Sequence, residues 1–223
     1  MNCPLPTPRR IVLVHGIFAK EGDSNVWNMK APLEAATGLP VVVFEYGYTG
    51  ILGARLNNNR TAKRLAHMLA PGDIIVCHSN GAAVTWLATV KHGARPSGVV
   101  MINPALDTWR MPVADWAHVY YNADDSIVAL SKILIGNVWG DMGRVGYRPK
   151  YVNYTYPDTC AEQEVNGKKT VTTIKQVDTI VQAPDLLAPA AKGHIAMFQS
   201  PCVAPWGAIV GRNINNELRK WKT

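Results

Sequence analysis

Ile11–Val14, Val41–Tyr46, Asp73–Cys77, Val99–Ile102 and Ala117–Tyr121 are five short runs dominated by apolar residues, many of them β-branched. Runs this short, with few polar interruptions, suit strands that are covered on both faces. Between them the period changes. Thr61–Ala70 places Ala62, Leu65, Ala66 and Leu69 on one face at helical spacing, and Pro71-Gly72 ends that helix. Ala82–Val90 reads as a second helix directly behind the third strand. Repeated alternation of strand and helix is what a mostly parallel sheet with helices on both faces requires, so the expected class is α/β.

A chain of 223 residues with 48% hydrophobic and 17% charged side chains has the composition of one globular domain, expected to span residues 1–223. The net charge of +7 comes from basic residues scattered along the chain, such as Arg9-Arg10, Lys63-Arg64, Lys168-Lys169 and Arg219-Lys220. No basic run is interleaved with aromatics as a nucleic-acid groove needs, so no nucleic-acid partner is expected. No stretch approaches the roughly 18 apolar residues of a membrane span, and Met1–Arg10 lacks the apolar core of a secretory signal. A cytoplasmic location is the expectation. Cys3, Cys77, Cys160 and Cys202 have neither metal spacing nor the density of a disulfide scaffold, which favours buried thiols; a Cys160–Cys202 bridge is the alternative.

Beyond Asp125 the pattern loosens. Gly136–Gly146 reads as a glycine-rich loop and Tyr151–Tyr156 as a strand. Glu162–Ile174, with Asn166-Gly167 at its centre, reads as a β-hairpin within an insertion over about residues 158–190. A final helix carries Val210, Ile214, Leu218 and Trp221 as an apolar stripe.

The chemistry centres on Ile74-Ile75-Val76-Cys77-His78-Ser79-Asn80-Gly81-Ala82-Ala83. A β-branched strand runs into a serine, and a glycine two residues later opens a helix of small residues. Such a turn holds the serine hydroxyl at its apex. The helix N-terminus directs its free N–H groups at the same place, where negative charge develops during acyl transfer. The segment resembles the nucleophile elbow of the α/β-hydrolases, G-x-S-x-G, with Cys77 in place of the first glycine. A second match is Val12-Leu13-Val14-His15-Gly16-Ile17-Phe18, similar to the His-Gly turn that follows the strand beside the nucleophile strand in that family.

The resemblance covers most of the chain from Arg10 onward and implies an α/β-hydrolase fold of minimal type, like the small bacterial lipases and esterases. It implies no large cap, because the interval between Ser79 and Asp125 is too short for one. Ser79 is then the nucleophile, with the backbone N–H groups of Ile17 and Asn80 as the oxyanion hole. The family's chain order puts the acid and then the base after the serine. His194 is the one histidine downstream of the candidate acids, in a loop-like stretch before the last helix. His15 and His78 lie inside the two motifs, His67 and His92 on or at the ends of helices, and His118 within a strand. For the acid, the family's register before an Ile-Val pair selects Asp125, with Asp124 and Asp107 as alternatives.

The implied reaction is ester hydrolysis through an acyl-enzyme, without metal or organic cofactor, on a small-molecule acyl ester. A thioesterase or acyltransferase would use the same triad, and a non-catalytic binding protein could keep the same fold. Phe18, Trp109, Met111 and Trp139 fall in loops after strand ends and are candidates for the substrate pocket, core packing being the other reading. The hairpin is expected to form a small lid or rim.

Overall fold

The computed structural model describes residues 10–17, 26–47, 51–125, 127, 140–148, 161–165, 168–172, 180–184 and 194–220. Phe18, Trp139, Tyr151–Tyr156 and Trp221 lie outside them. In chain order the elements begin with β1 (Ile11–Val14), a 3-10 turn (Val26–Met29), α1 (Lys30–Thr37), β2 (Val41–Phe44) and α2 (Ile51–Met68). They continue with β3 (Ile74–His78), α3 (Asn80–Val90), β4 (Gly98–Ile102), β5 (Trp116–Tyr121) and the one-turn α4 (Met142–Val145). Then follow β6 (Ala161–Val165), β7 (Lys168–Thr172), β8 (Ile180–Pro184), a 3-10 turn (Ala196–Phe198) and α5 (Val203–Lys220).

Six strands form one sheet in the order β2-β1-β3-β4-β5-β8, with every pairing parallel. Alternate side chains along β1 to β5 enter two separate cores, as the pleat dictates. Ile11, Leu13, Ile74, Val76, Val100, Ile102, Trp116 and Tyr120 face one side, where they meet Leu33 of α1 and Trp206, Val210 and Ile214 of α5. Val12, Val14, Ile75, Cys77, Val99, Met101 and Val119 face the other, against Ala62 and Leu65 of α2 and Ala82, Val84 and Ala88 of α3. Most of these side chains are fully excluded from solvent. At about 1.5–3 kcal/mol per buried Val, Leu or Ile, the two cores are the main favourable term in folding.

Four departures from the sequence reading have physical causes. α1 is too short for a clear period and carries Pro32, which is tolerated because it lies in the first turn. Gly38, in the left-handed conformation, caps it through its N–H on the Glu34 carbonyl. α2 starts ten residues before the expected Thr61, since the polar Asn57-Asn58-Asn59-Arg60 run shows no apolar stripe. β8 falls inside the stretch assigned to the insertion, yet it is the edge strand of the main sheet. Its Gln182 interrupts the apolar run, and its terminal Pro184 is tolerated at an edge.

The fourth departure is α4, which replaces part of the expected glycine-rich loop. A Cβ on Gly143 would come within 2.8 Å of the Asn103 backbone, so glycine lets this turn lie against the residue that follows β4. The Gly143 N–H donates to the Pro104 carbonyl at 2.9 Å, and its own carbonyl accepts from the Asn122 N–H at 2.9 Å. The β6–β7 pair is antiparallel, with Val165 opposite Lys168; Asn166-Gly167 lie outside the described residues. Cys77 and Cys202 are buried with free thiols, and Cys160, the other half of the alternative bridge, lies outside the described residues. Among the described residues, no helix is long and apolar enough to cross a membrane.

Candidate active site

β3 delivers Ser79 directly into α3. Ser79 has φ 53° and ψ −123°, a conformation that a non-glycine residue adopts only at a cost of about 1–3 kcal/mol. Its main chain is held on both sides. The Ser79 N–H donates to the Ile102 carbonyl at 3.1 Å, and its carbonyl accepts from the Ala82 and Ala105 N–H groups at 3.0 and 3.1 Å. The hydroxyl is not spent on capping α3. Gly16 lies directly against it: a Cβ at position 16 would sit 3.0 Å from the Ser79 Cβ and 3.4 Å from its Oγ.

Gly81, in the first turn of α3, shows why a glycine follows the serine. A Cβ there would come 2.6 Å from the His15 carbonyl oxygen, and closer still to that of Val14. The N-terminus of α3 therefore rests on the end of β1. Cys77, where the family pattern has glycine, is accommodated in the core on the α2 and α3 side, with its Sγ 3.5 Å from the Val100 carbonyl oxygen. Burial pushes this thiol up to about 12, so it carries no thiolate beside the serine.

The turn after β1 is braced by aromatic rings. The His15 imidazole stacks on Tyr46 at 3.9 Å between centroids and 7° between planes, with Trp27 at 5.1 Å. Its Nδ1–H donates to the Gly16 carbonyl at 2.7 Å, which leaves Nε2 to accept from the Tyr46 N–H at 3.4 Å. Burial lowers the His15 pKa, and the ring stays neutral. The Tyr46 hydroxyl donates to the carbonyls of His15 and Gly16 at 2.7 and 3.2 Å. Across from this turn, the Asn80 side chain exchanges two hydrogen bonds with Asn58 of α2, at 2.8 and 3.0 Å. Ile17 and Asn80, the candidate oxyanion residues, thus belong to two segments that meet at Ser79.

Asp125 and His194 are brought together. The His194 Nδ1–H donates to Asp125 Oδ2 at 2.7 Å, with the carboxylate fully buried. That bond places the proton on Nδ1 of the neutral ring and leaves Nε2 with a free lone pair. The turn behind it is closed by the Asp125 N–H on the Asn122 carbonyl at 3.0 Å. The two alternative acids are engaged elsewhere. Asp124 is exposed in the same turn, its N–H on the Asn122 side chain, and Asp107 pairs with Arg110 at 3.0 Å. The His194 ring lies 4.6 Å from the ring of His78, the residue before Ser79, so the pair sits at the end of β3.

Of the pocket candidates, Trp109 is 51% exposed and lies under the Arg110 guanidinium, which also stacks on Trp86. Met111 packs against the core on the α2 and α3 side. No cluster of three or more His, Cys, Asp or Glu able to hold a metal occurs among the described residues. Sequence reasoning passed over Tyr46, Asn58 and Asn103, since each acts through contacts with residues remote in the chain. For Tyr46 and Asn103 the one local signal was their position at the ends of predicted strands.

No family model and no curated protein matches this chain. Solved structures do. Carboxyl esterase 2 from the mycorrhizal fungus Tuber melanosporum is 13% identical, with 96% of this chain and 79% of that one covered at a TM-score of 0.51. A protein designated a hydrolase of the alpha/beta superfamily, from Xanthomonas campestris pv. campestris, is 12% identical, with 93% and 99% covered at 0.50. A protein designated a CIB-like hydrolase, from Thermoplasma acidophilum, is 14% identical, with 93% and 86% covered at 0.50. What is shared at such identities is the architecture: this chain has the α/β-hydrolase fold.

Proposed function

We propose that the chain is a serine hydrolase that cleaves carboxylic esters through an acyl-enzyme, with Ser79 as nucleophile, His194 as base and Asp125 as the supporting acid. The observation that carries the reading is Ser79 at positive φ between β3 and α3, with the buried Asp125 joined at 2.7 Å to the half-buried His194 at the same strand end. In this reading Ser79 Oγ attacks the acyl carbon while its proton passes to Nε2 of His194. Asp125 keeps the imidazole in the reactive tautomer and stabilises the imidazolium without taking the proton. The oxyanion is received by the backbone N–H groups of Asn80 and Ile17, each worth on the order of 3 kcal/mol in the transition state. His194 then returns its proton to the leaving alkoxide, and a water that it activates releases the acid and regenerates Ser79.

Ester chemistry is favoured over the thioester and acyl-transfer alternatives by the likeness to carboxyl esterase 2. We assign the described elements to one catalytic domain, with the β6–β7 hairpin as an insertion at its rim. The test is fluorophosphonate labelling of wild type and Ser79→Ala, with the modified peptide mapped by mass. Labelling at Ser79 that vanishes in the variant, with turnover of short-chain p-nitrophenyl esters ahead of matched thioesters, is the expected result. A folded wild-type protein that neither labels nor turns over esters would overturn the reading.

A further inference from the structure

We propose that His78 and Asn103 are positioning residues for the base, acting through the backbone carbonyl of His194. The inference rests on the Ser79–His194–Asp125 reading and extends it to two side chains that the triad does not use.

His78 is the last residue of β3 and is covalently joined to Ser79. Its ring lies edge-on to Phe198 at 4.7 Å between centroids, and its Nε2 is 2.9 Å from the His194 carbonyl oxygen. A carbonyl only accepts, so Nε2 carries the hydrogen and Nδ1 is bare in the neutral ring. Among the described residues, that Nδ1 is buried without a hydrogen-bond partner. Burial holds the ring well below the ordinary imidazole range, so it remains a neutral donor and does not compete with His194 for a proton.

Asn103 follows β4 at φ 43°, in the left-handed region that asparagine tolerates better than most residues. Its N–H is tied to the Tyr120 carbonyl at 2.8 Å, and Gly143 packs so close that a Cβ there would lie 2.8 Å from the Asn103 carbonyl carbon. From that fixed backbone its amide Nδ2 donates to the same His194 oxygen at 3.0 Å.

Two donors from adjacent strand ends therefore converge on one carbonyl and match its two lone pairs. Asp125 holds the same residue at ring Nδ1. With the main chain fixed at one end and the ring at the other, only Nε2 is left to act, and its position is set relative to β3 and hence to Ser79. Either hold alone would leave the imidazole a swing about χ1 and χ2. The residue run that presents the nucleophile thus also fixes the base.

The test uses three variants of the full chain: His78→Phe, which keeps a ring and loses the donor; His78→Gln, which restores an N–H near the Nε2 position; and Asn103→Gly, which suits the positive φ and loses the amide. The readouts are kcat and KM on a short-chain p-nitrophenyl ester, the rate of fluorophosphonate labelling at Ser79, and the low-field proton resonance of His194 Nδ1–H. Because misplacement by about 1 Å costs about 100-fold, His78→Phe and Asn103→Gly should lower kcat about 10- to 100-fold with KM within about twofold. The low-field line should broaden or vanish in both, and His78→Gln should recover most of kcat.

Folded His78→Phe and Asn103→Gly proteins with wild-type kcat and an unchanged low-field line would overturn the proposal. So would a folded His78→Gln as slow as His78→Phe, which would assign the effect to ring packing. If His78→Phe does not fold, Asn103→Gly decides by the same readouts. Wild type that fails to label at Ser79 removes the hydrolase reading instead, and the low-field resonance alone then judges the hold on His194.

Discussion

Replacing Gly81 with alanine sets two effects of opposite sign against each other. By helix propensity alone the change is favourable, since alanine exceeds glycine by about 1 kcal/mol inside a helix and by less in the first turn. The packing says otherwise. The new Cβ would lie 2.6 Å from the His15 carbonyl oxygen and closer to that of Val14. A comfortable C···O separation is about 3.3 Å, so α3 and the end of β1 must part by about 0.7 Å or more. Both atoms that resist are backbone: Val14 lies in the parallel pairing of β1 with β2 and β3, and His15 follows it directly, so neither carbonyl can rotate away freely. Overpacking of this kind costs about 1–3 kcal/mol, which outweighs the propensity gain.

In the proposed mechanism the N–H groups of Asn80 and Ile17 converge on one oxygen, and the same displacement would separate them. Losing one such donor costs about 3 kcal/mol, and a sub-ångström error forfeits part of that. Gly81→Ala is therefore expected to lose about 1–2 kcal/mol of stability in urea unfolding and to label at Ser79 about 10- to 100-fold more slowly. A Gly81→Ala protein that is at least as stable as wild type and labels at the wild-type rate would refute the close-approach argument.

Three other perturbations bear on the site. Asp125→Asn can keep a hydrogen bond to His194 but can present an N–H to Nδ1, which moves the ring proton to Nε2; steady-state ester hydrolysis should fall by about 10⁴ in kcat while the protein remains folded. Tyr46→Phe keeps the stack on His15 and removes the hydroxyl that donates at 2.7 Å to the His15 carbonyl, so urea unfolding should show a loss of about 1–3 kcal/mol. His15, His78 and His118 all have pKa values lowered by burial, against about 6.5 for the unfolded chain. Protonation of these rings favours the unfolded state. Their contribution is complete above pH 6.5 and is lost as pH falls toward the folded values, at up to about 1.4 kcal/mol per pH unit for each ring. Urea midpoints measured from pH 7.5 to 5 should fall, and a flat or rising profile would contradict this sign.

The central strands could be read directly because burial on both faces leaves its mark on every residue: β1, β3, β4 and β5 are nearly unbroken apolar runs. The turn into Ser79 was readable for a related reason, since a strand, a serine and a small-residue helix must follow one another without a gap. Elements with little burial of their own left weaker marks. The polar first half of α2, the edge strand β8 and the single turn of α4 depend on neighbours that no local period encodes.

Residue order alone therefore determined the class of fold, the two cores and the place of the serine, because those follow from which side chains must avoid water along contiguous stretches. Only the tertiary structure joined Asp125 to His194 and paired Asp107 with Arg110. It also brought Tyr46, Asn58, His78 and Asn103 to the site. Those contacts arise where the strand order β2-β1-β3-β4-β5-β8 sets the carboxyl ends of neighbouring strands side by side. Hydrogen bonds between groups that distant in the chain have a geometry but no sequence period.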